Sequence, residues 1–112
     1  MNIIMTKVKI DPGICNLITT VEATSEDQME VKVIVKSMCQ SINKMFQELG
    51  DTFDSYELCL AKPGDNELYK YAAKNLPGHA GCPTIAGIIK CIEVECKLAL
   101  PKDVTIKFED NL

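Results

Sequence analysis

The stretch "CNLITTVEATSEDQMEVKVIVK", residues 15–36, decides the fold because it holds two alternating apolar segments on either side of a polar loop. Successive side chains of a β-strand point to opposite faces, so alternation marks a strand with one buried face. The predicted buried faces contain Cys15, Leu17, Thr19, Val21 and Ala23 in the first segment and Val31, Val33 and Val35 in the second. Two such strands joined by the five polar residues 24–28 predict an antiparallel hairpin.

Further strands are predicted on both sides of this hairpin. Residues 6–10, "TKVKI", alternate and are followed by a "DPG" turn, so they predict a strand before the hairpin. Residues 54–62, "DSYELCLAK", predict a fourth strand. At the end of the chain, "VTIKF" at residues 104–108 predicts a last strand, because its apolar side chains alternate with Thr105 and Lys107.

Three segments have helical patterns. In "SMCQSINKMFQELG", residues 37–50, Ser37 and Gln40 have the spacing of a capping box, which makes Ser37 the expected N-cap. The apolar stripe of this helix is Ile42, Met45, Phe46 and Leu49. A second, shorter helix is expected from Asp65 to about Leu76. The third begins with Cys82 as N-cap and Pro83 at the first helical position. Its apolar stripe is Ile85, Ile88, Ile89, Ile92, Cys96 and Ala99.

These elements predict an α+β fold in the order β-β-β-α-β-α-α-β. Strands and helices segregated in this way suggest a two-layer sandwich with a mixed or antiparallel sheet of about four to five strands and about three helices. No repeat, linker or low-complexity tract interrupts the 112 residues, so we expect one domain over residues 1–112.

Charge and hydropathy exclude several kinds of partner. The net charge of −4 disfavours nucleic acids and anionic membranes, since both need a basic surface. No apolar run approaches the roughly 18 residues that a membrane span needs. The opening "MNIIMTKVKI" is too short and too charged for a signal peptide, so we expect a cytoplasmic protein.

Six cysteines are the chemically distinctive feature of the sequence. We expect them to be reduced in the cytoplasm, and no Cys-x-x-Cys pair is present. Cys96 lies in an apolar helical stripe and predicts a core residue, whereas Cys91 lies on the flank of that stripe, half-buried or at an interface. For Cys59 we expect a packing role. An unpaired strand edge or the Cys91 flank would allow a homodimer.

Cys15, Cys39 and Cys82 are candidate metal ligands. With a hairpin loop at residues 24–28, facing positions sum to about 52, which brings Cys15 and Cys39 to the same end of the hairpin. Cys39 is expected at the second position of one helix and Cys82 at the N-cap of another, where the helix dipole stabilises a thiolate. His79, the only histidine, is a candidate fourth ligand.

Four stretches, "DPGIC", "KSMCQSI", "HAGCP" and "KLALPKDVTIKF", resemble an uncharacterised family of short proteins classed as a domain of unknown function. A weaker similarity is to the domain named for its Thr-Ser-Cys-Pro-Asp motif and to iron–sulfur scaffold proteins. It lies in the motifs that contain Cys15, Cys39 and Cys82, and it implies a metal-binding thiol pocket.

Three functions therefore stay open. The first is a module that binds zinc or an iron–sulfur cluster through Cys15, Cys39 and Cys82, with His79 or an external group as fourth ligand. The second is a structural or interaction domain, with the homodimer as one form, whose cysteines are inert. The third is a thiol-based redox or sulfur-transfer protein with Cys82 or Cys39 as nucleophile and His79 as its only candidate base. Whether the protein is an enzyme is left open.

Overall fold

The computed structural model describes residues 5–110 and contains four strands and four helices in that range. The strands are β1 (Thr6–Ile10), β2 (Thr19–Thr24), β3 (Glu30–Ser37) and β4 (Thr52–Asp54). The helices are α1 (Gln40–Leu49), α2 (Ser55–Cys59), α3 (Glu67–Asn75) and α4 (Thr84–Glu95). The predicted α+β class is confirmed. The sheet has four strands, within the predicted number.

The sheet is antiparallel throughout, in the order β1-β2-β3-β4. The predicted hairpin is confirmed, but its register differs: Thr19 faces Ser37, so facing positions sum to 56. The difference of four is even, which leaves the same side chains on the buried face. Apolar alternation therefore specifies the face of each strand. It does not specify the loop, which spans residues 25–29 and is held by Asp27, whose carboxylate accepts from the backbone N–H of Met29 and Glu30.

The core lies between one face of this sheet and the helices. Helix α4 packs across β1 and β2, and α1 packs on β3. The buried apolar residues of the core are Val21, Ala23, Val31, Val33, Ile42, Met45, Phe53, Leu58, Leu68, Ile85, Ile88, Cys91, Ile92 and Cys96. At Gly87 the helix comes so close to β1 that an added Cβ would lie 2.7 Å from the Ile10 side chain. A larger residue at this position would force the Ile10 side chain to move.

The fourth strand differs from its prediction in position and length. Strand β4 covers only Thr52–Asp54, and the following residues form α2, a helix that the sequence pattern did not predict. Asp54 is the cause, because its carboxylate accepts hydrogen bonds from the backbone N–H of Tyr56 and Glu57 and so caps a helix. Leu58 is buried in both interpretations, which is why its burial could not distinguish them.

The last predicted strand is not part of the sheet. Residues 101–110, called the C-terminal arm below, belong to no strand or helix of the described chain, and all of them are exposed. The apolar side chains of the predicted strand are 63% exposed at Val104, 76% at Ile106 and 97% at Phe108. The alternation predicted from the sequence is present, but none of the layers formed by the described residues covers it.

Candidate functional site

Cys39 lies where β3 meets α1. It is the N-cap of α1, not the second helical residue, and Ser37, the predicted N-cap, is instead the last residue of β3. The Ser37 hydroxyl accepts from the Cys39 N–H at 3.0 Å, while the Asn43 side chain bonds both backbone groups of Ser37. The Cys39 thiol is half-buried and makes no capping hydrogen bond. The hydrogen bonds that hold this junction are therefore made by Ser37, Asn43 and the Cys39 backbone, and not by the Cys39 thiol.

Cys15 is an exposed loop residue between β1 and β2. A turn encloses it, in which the Asn16 N–H donates to the Gly13 carbonyl at 2.9 Å. Strand β2 begins only at Thr19, and Thr19 takes the place opposite Ser37 that the predicted register gave to Cys15. The Thr19 and Ser37 hydroxyls share a hydrogen bond of 2.6 Å. Cys15 is thus outside the strand pairing that was expected to bring it near Cys39.

His79 and Cys82 share one turn before α4, in which the Cys82 N–H donates to the His79 carbonyl at 3.1 Å. Both residues are exposed. The N-cap of α4 is Pro83, so Cys82 lies one residue before the N-cap instead of at it, as predicted. Burial raises the pKa of the Tyr69 hydroxyl, and the charge of an ionised Cys82 raises it further, which places Cys82 near α3.

No assembled metal centre joins these residues. Within residues 5–110, no group of three or more His, Cys, Asp or Glu side chains is arranged to hold a metal ion, and all six thiols are free. The structure brings His79 and Cys82 into one turn and places Cys15 and Cys39 in two other parts of the chain. The ligand set Cys15, Cys39, Cys82 and His79 stays a prediction from the sequence.

Cys91 is completely buried, although the sequence placed it on a half-buried flank or at an interface. Its thiol lies 3.4 Å from the Thr6 carbonyl oxygen, to which it donates. Burial, followed by the charge of Glu95, raises the pKa of this thiol to about 11. Helix α4 contacts both β1 and β2, so its buried surface is wider than the single stripe that the prediction assumed.

Two further cysteines lie at the other side of α4. Cys96 is buried, as predicted for a core residue. Cys59, in α2, is half-buried, with its thiol 3.9 Å from the Ile89 carbonyl oxygen. Burial raises the pKa of Cys59 to about 12, and the negative charges of Glu93 and Cys96 act in the same direction. Such thiols stay protonated at neutral pH and are poor nucleophiles.

Glu95 is a structural residue that the apolar pattern of α4 did not indicate. Its carboxylate accepts from the Thr6 N–H at 3.1 Å, the Thr6 hydroxyl at 2.8 Å and the Ser25 N–H at 3.0 Å. It therefore joins the end of α4 to the start of β1 and to the hairpin loop. Its position on the helix gave no signal for this, because the partners lie 70 and 89 residues away in the chain.

A shallow groove next to Glu95 leads to the C-terminal arm. Its lining includes Thr6 and Ser25 on one side and Leu98, Leu100 and Pro101 on the other. Leu100 is 88% exposed, so an apolar surface begins in this groove and continues along the arm. This surface is the largest set of exposed apolar side chains in one segment of the described chain.

The model of a family of unknown function (DUF6951) matches residues 6–108, nearly the whole chain and most of the arm. The protein belongs to this family, which confirms the predicted membership of an uncharacterised domain family. No curated protein and no solved structure matches the chain. The weaker similarity to the Thr-Ser-Cys-Pro-Asp motif domain and to iron–sulfur scaffold proteins has no support. None of the helices in residues 5–110 is both long and apolar enough to span a membrane.

Proposed function

We propose that this member of the DUF6951 family is a protein–protein interaction domain that contacts its partner through the C-terminal arm. One observation carries the proposal: the apolar face of the arm, formed by Val104, Ile106 and Phe108, is exposed. Single exposed apolar residues are common on proteins, but contiguous ones mark interaction sites.

The pattern of the arm fits one mode of recognition. An extended segment can add as a strand to an exposed sheet edge, where main-chain hydrogen bonds give affinity and alternate side chains give specificity. The arm has the alternation that this mode requires, and in an extended strand Thr105 and Lys107 would face away from the apolar side chains. Its backbone belongs to no strand or helix, so its N–H and C=O groups can pair with a partner.

The cysteines support this function over thiol chemistry. Cys59 and Cys91 have pKa values raised to about 12 and about 11, and Cys96 is buried. A reactive cysteine needs the opposite environment, one that lowers its pKa. Cys82 is exposed, and the hydrogen bond that links it to His79 runs between backbone groups, from the Cys82 N–H to the His79 carbonyl.

A photo-crosslinking experiment in the cells that make the protein tests the interaction function. A benzophenone amino acid replaces Phe108, and the control chain carries it at Ile14, an equally exposed apolar residue in the β1–β2 loop. We expect one discrete adduct from position 108 and none of that size from position 14. Equal, diffuse labelling from both positions would contradict an interaction function for the arm.

Metal binding is the second candidate, and the turn that holds His79 and Cys82 side by side supports it. Two ligands are too few for a zinc site or a cluster, so Cys15 and Cys39 would have to join them. The test is the metal content of protein purified without oxygen or chelators. About one equivalent of metal per chain, lost in Cys39→Ala, would support this function. Metal-free protein, or metal retained in that variant, would contradict it.

A further inference from the structure

We propose that the partner of the C-terminal arm is a second copy of this chain, and that the arm adds as a strand to the free edge of β1 in that copy. This inference rests on the proposed interaction function and names its partner. The two arms would be exchanged reciprocally, so one dimer contains two identical contacts.

The edge of β1 is available and suits an added strand. Within residues 5–110, β1 is the first strand of the sheet and pairs only with β2. At the opposite edge, β4 has only three residues and leads directly into α2. An edge strand with unpaired N–H and C=O groups is a template for another strand. Backbone groups of successive residues point alternately to the two sides of an antiparallel strand, so alternate residues of the five in β1 are offered to an added strand.

Burial shows that the core is incomplete at this edge. The inward side chains of β2, which are Thr19, Val21 and Ala23, are completely buried. The inward side chains of β1, which are Thr6, Val8 and Ile10, are only half-buried. One more strand with apolar side chains on the same face would cover them, and the arm has three such side chains at matching spacing.

Charge complements this arrangement on the other face. The outward side chains of β1 include Lys7 and Lys9, both exposed. In an added strand, the corresponding face of the arm would contain Asp103, Thr105, Lys107 and Glu109, with two carboxylates for one ammonium group. Lys7 already forms an ion pair with Glu22 of β2, so the net negative charge of the arm would act mainly on Lys9, and opposite charges on facing strands stabilise the pairing.

The area is also appropriate for a dimer. A stable interface buries about 1,200–2,000 Å² in total, and one aromatic side chain buries about 150–250 Å². The area that the dimer would bury approaches this range. It comes from the two β1 edges and from two copies each of Leu100, Val104, Ile106 and Phe108. The family match also runs through Phe108, so the arm is part of the domain that the family shares.

The first test is the dissociation constant of the dimer, measured by sedimentation for matched variants. Ile106→Asp puts a charge on the apolar face of the arm, while Thr105→Asp puts the same charge on the face toward Lys7 and Lys9. We expect the dissociation constant to rise at least about tenfold in the first variant and to stay within about twofold in the second. Both side chains are exposed in the single chain, so neither change should unfold it. A wild-type chain that stays monomeric at about 100 μM, or a dimer unaffected by Ile106→Asp, would overturn the proposal.

The second test identifies the edge and the copy. Chains carrying the benzophenone at position 108 are mixed as equal amounts of ¹⁴N- and ¹⁵N-labelled protein and irradiated. We expect cross-linked peptides that join the arm to residues 6–10 and contain both isotopes. Random pairing makes about half of the intermolecular links mixed, so a complete absence of mixed links would mean that the arm folds back on its own sheet and would refute the exchange. If position 108 forms an adduct only with a different protein, the interaction function survives and the second copy is excluded as its partner.

Discussion

Strand β3 and the C-terminal arm contain the same kind of sequence with opposite results. Val31, Val33 and Val35 alternate with polar residues and lie under α1, where the first two are almost completely buried. Val104, Ile106 and Phe108 alternate in the same way and are 63–97% exposed. The difference lies in what is available to cover each segment, not in the segments themselves. An alternating apolar pattern indicates a face that is stable when another layer buries it. Within residues 5–110, such a layer covers β3 but not the arm.

The largest effect that tests this comparison comes from equal truncations in the two regions. Ile88→Ala, in the completely buried part of α4, should lower the free energy of unfolding by about 2–5 kcal/mol, because it removes buried apolar atoms and leaves a cavity. Ile106→Ala in the arm should change it by less than about 0.5 kcal/mol. Urea unfolding at a chain concentration below that of association measures both. A large loss for Ile106→Ala under those conditions would mean that the arm packs on its own chain.

A smaller effect is expected where α4 holds the edge strand. Glu95→Ala removes the acceptor for three hydrogen bonds from Thr6 and Ser25 and should cost about 1–3 kcal/mol of unfolding free energy. The control is Glu93→Ala, which removes an ion pair between the exposed Lys90 and the half-buried Glu93 and should cost at most about 0.5 kcal/mol. Hydrogen exchange should show faster exchange of the β1 amides in Glu95→Ala alone. Equal losses in the two variants would remove Glu95 from its assigned role.

The smallest effect concerns the pH dependence of the buried thiols. The pKa of Cys91 is raised from an ordinary value of 9.0 to about 11, so the unfolded chain releases this proton first as the pH rises. The stabilisation is therefore complete below about pH 9 and is lost between about pH 9 and 11, amounting to about 1 kcal/mol by pH 10. Unfolding free energies at pH 8 and pH 10 should differ less in Cys91→Ala than in the wild type.

The sequence specified the buried face of β1, β2 and β3 because strand period and apolar pattern coincide there. It also specified the stripe of α1, in which Ile42 and Met45 are buried. The hairpin register was wrong because loop length depends on side chains such as Asp27, which the apolar pattern does not include. The strand expected at residues 54–62 became α2 because one cap, Asp54, outweighed a short alternation.

The thiols were harder to predict than the strands. Cys96 was assigned to the core correctly, since its helical stripe is apolar. The predicted burial of Cys91 was wrong, because a helix that packs on two strands buries more of its circumference than the single apolar stripe. The predicted approach of Cys15 to Cys39 depended on the hairpin register. The predicted sum of facing positions was too low by four, so Thr19, and not Cys15, lies opposite Ser37. A predicted contact between distant segments is correct only if the local structure of each segment is predicted correctly.

The attachment of β1 to α4 has a consequence for the order in which the chain folds. The Cys91 thiol and the Glu95 carboxylate reach Thr6 across 85 and 89 residues of sequence, whereas the β2–β3 turn is local. Contacts between such remote residues form slowly, because a long loop must close first. During synthesis, β1 can therefore contact α4 only after α4 has left the ribosome. We expect the β2–β3 hairpin to form before the contacts between β1 and α4. A nascent chain stopped before residue 84 would lack the helix that covers its sheet.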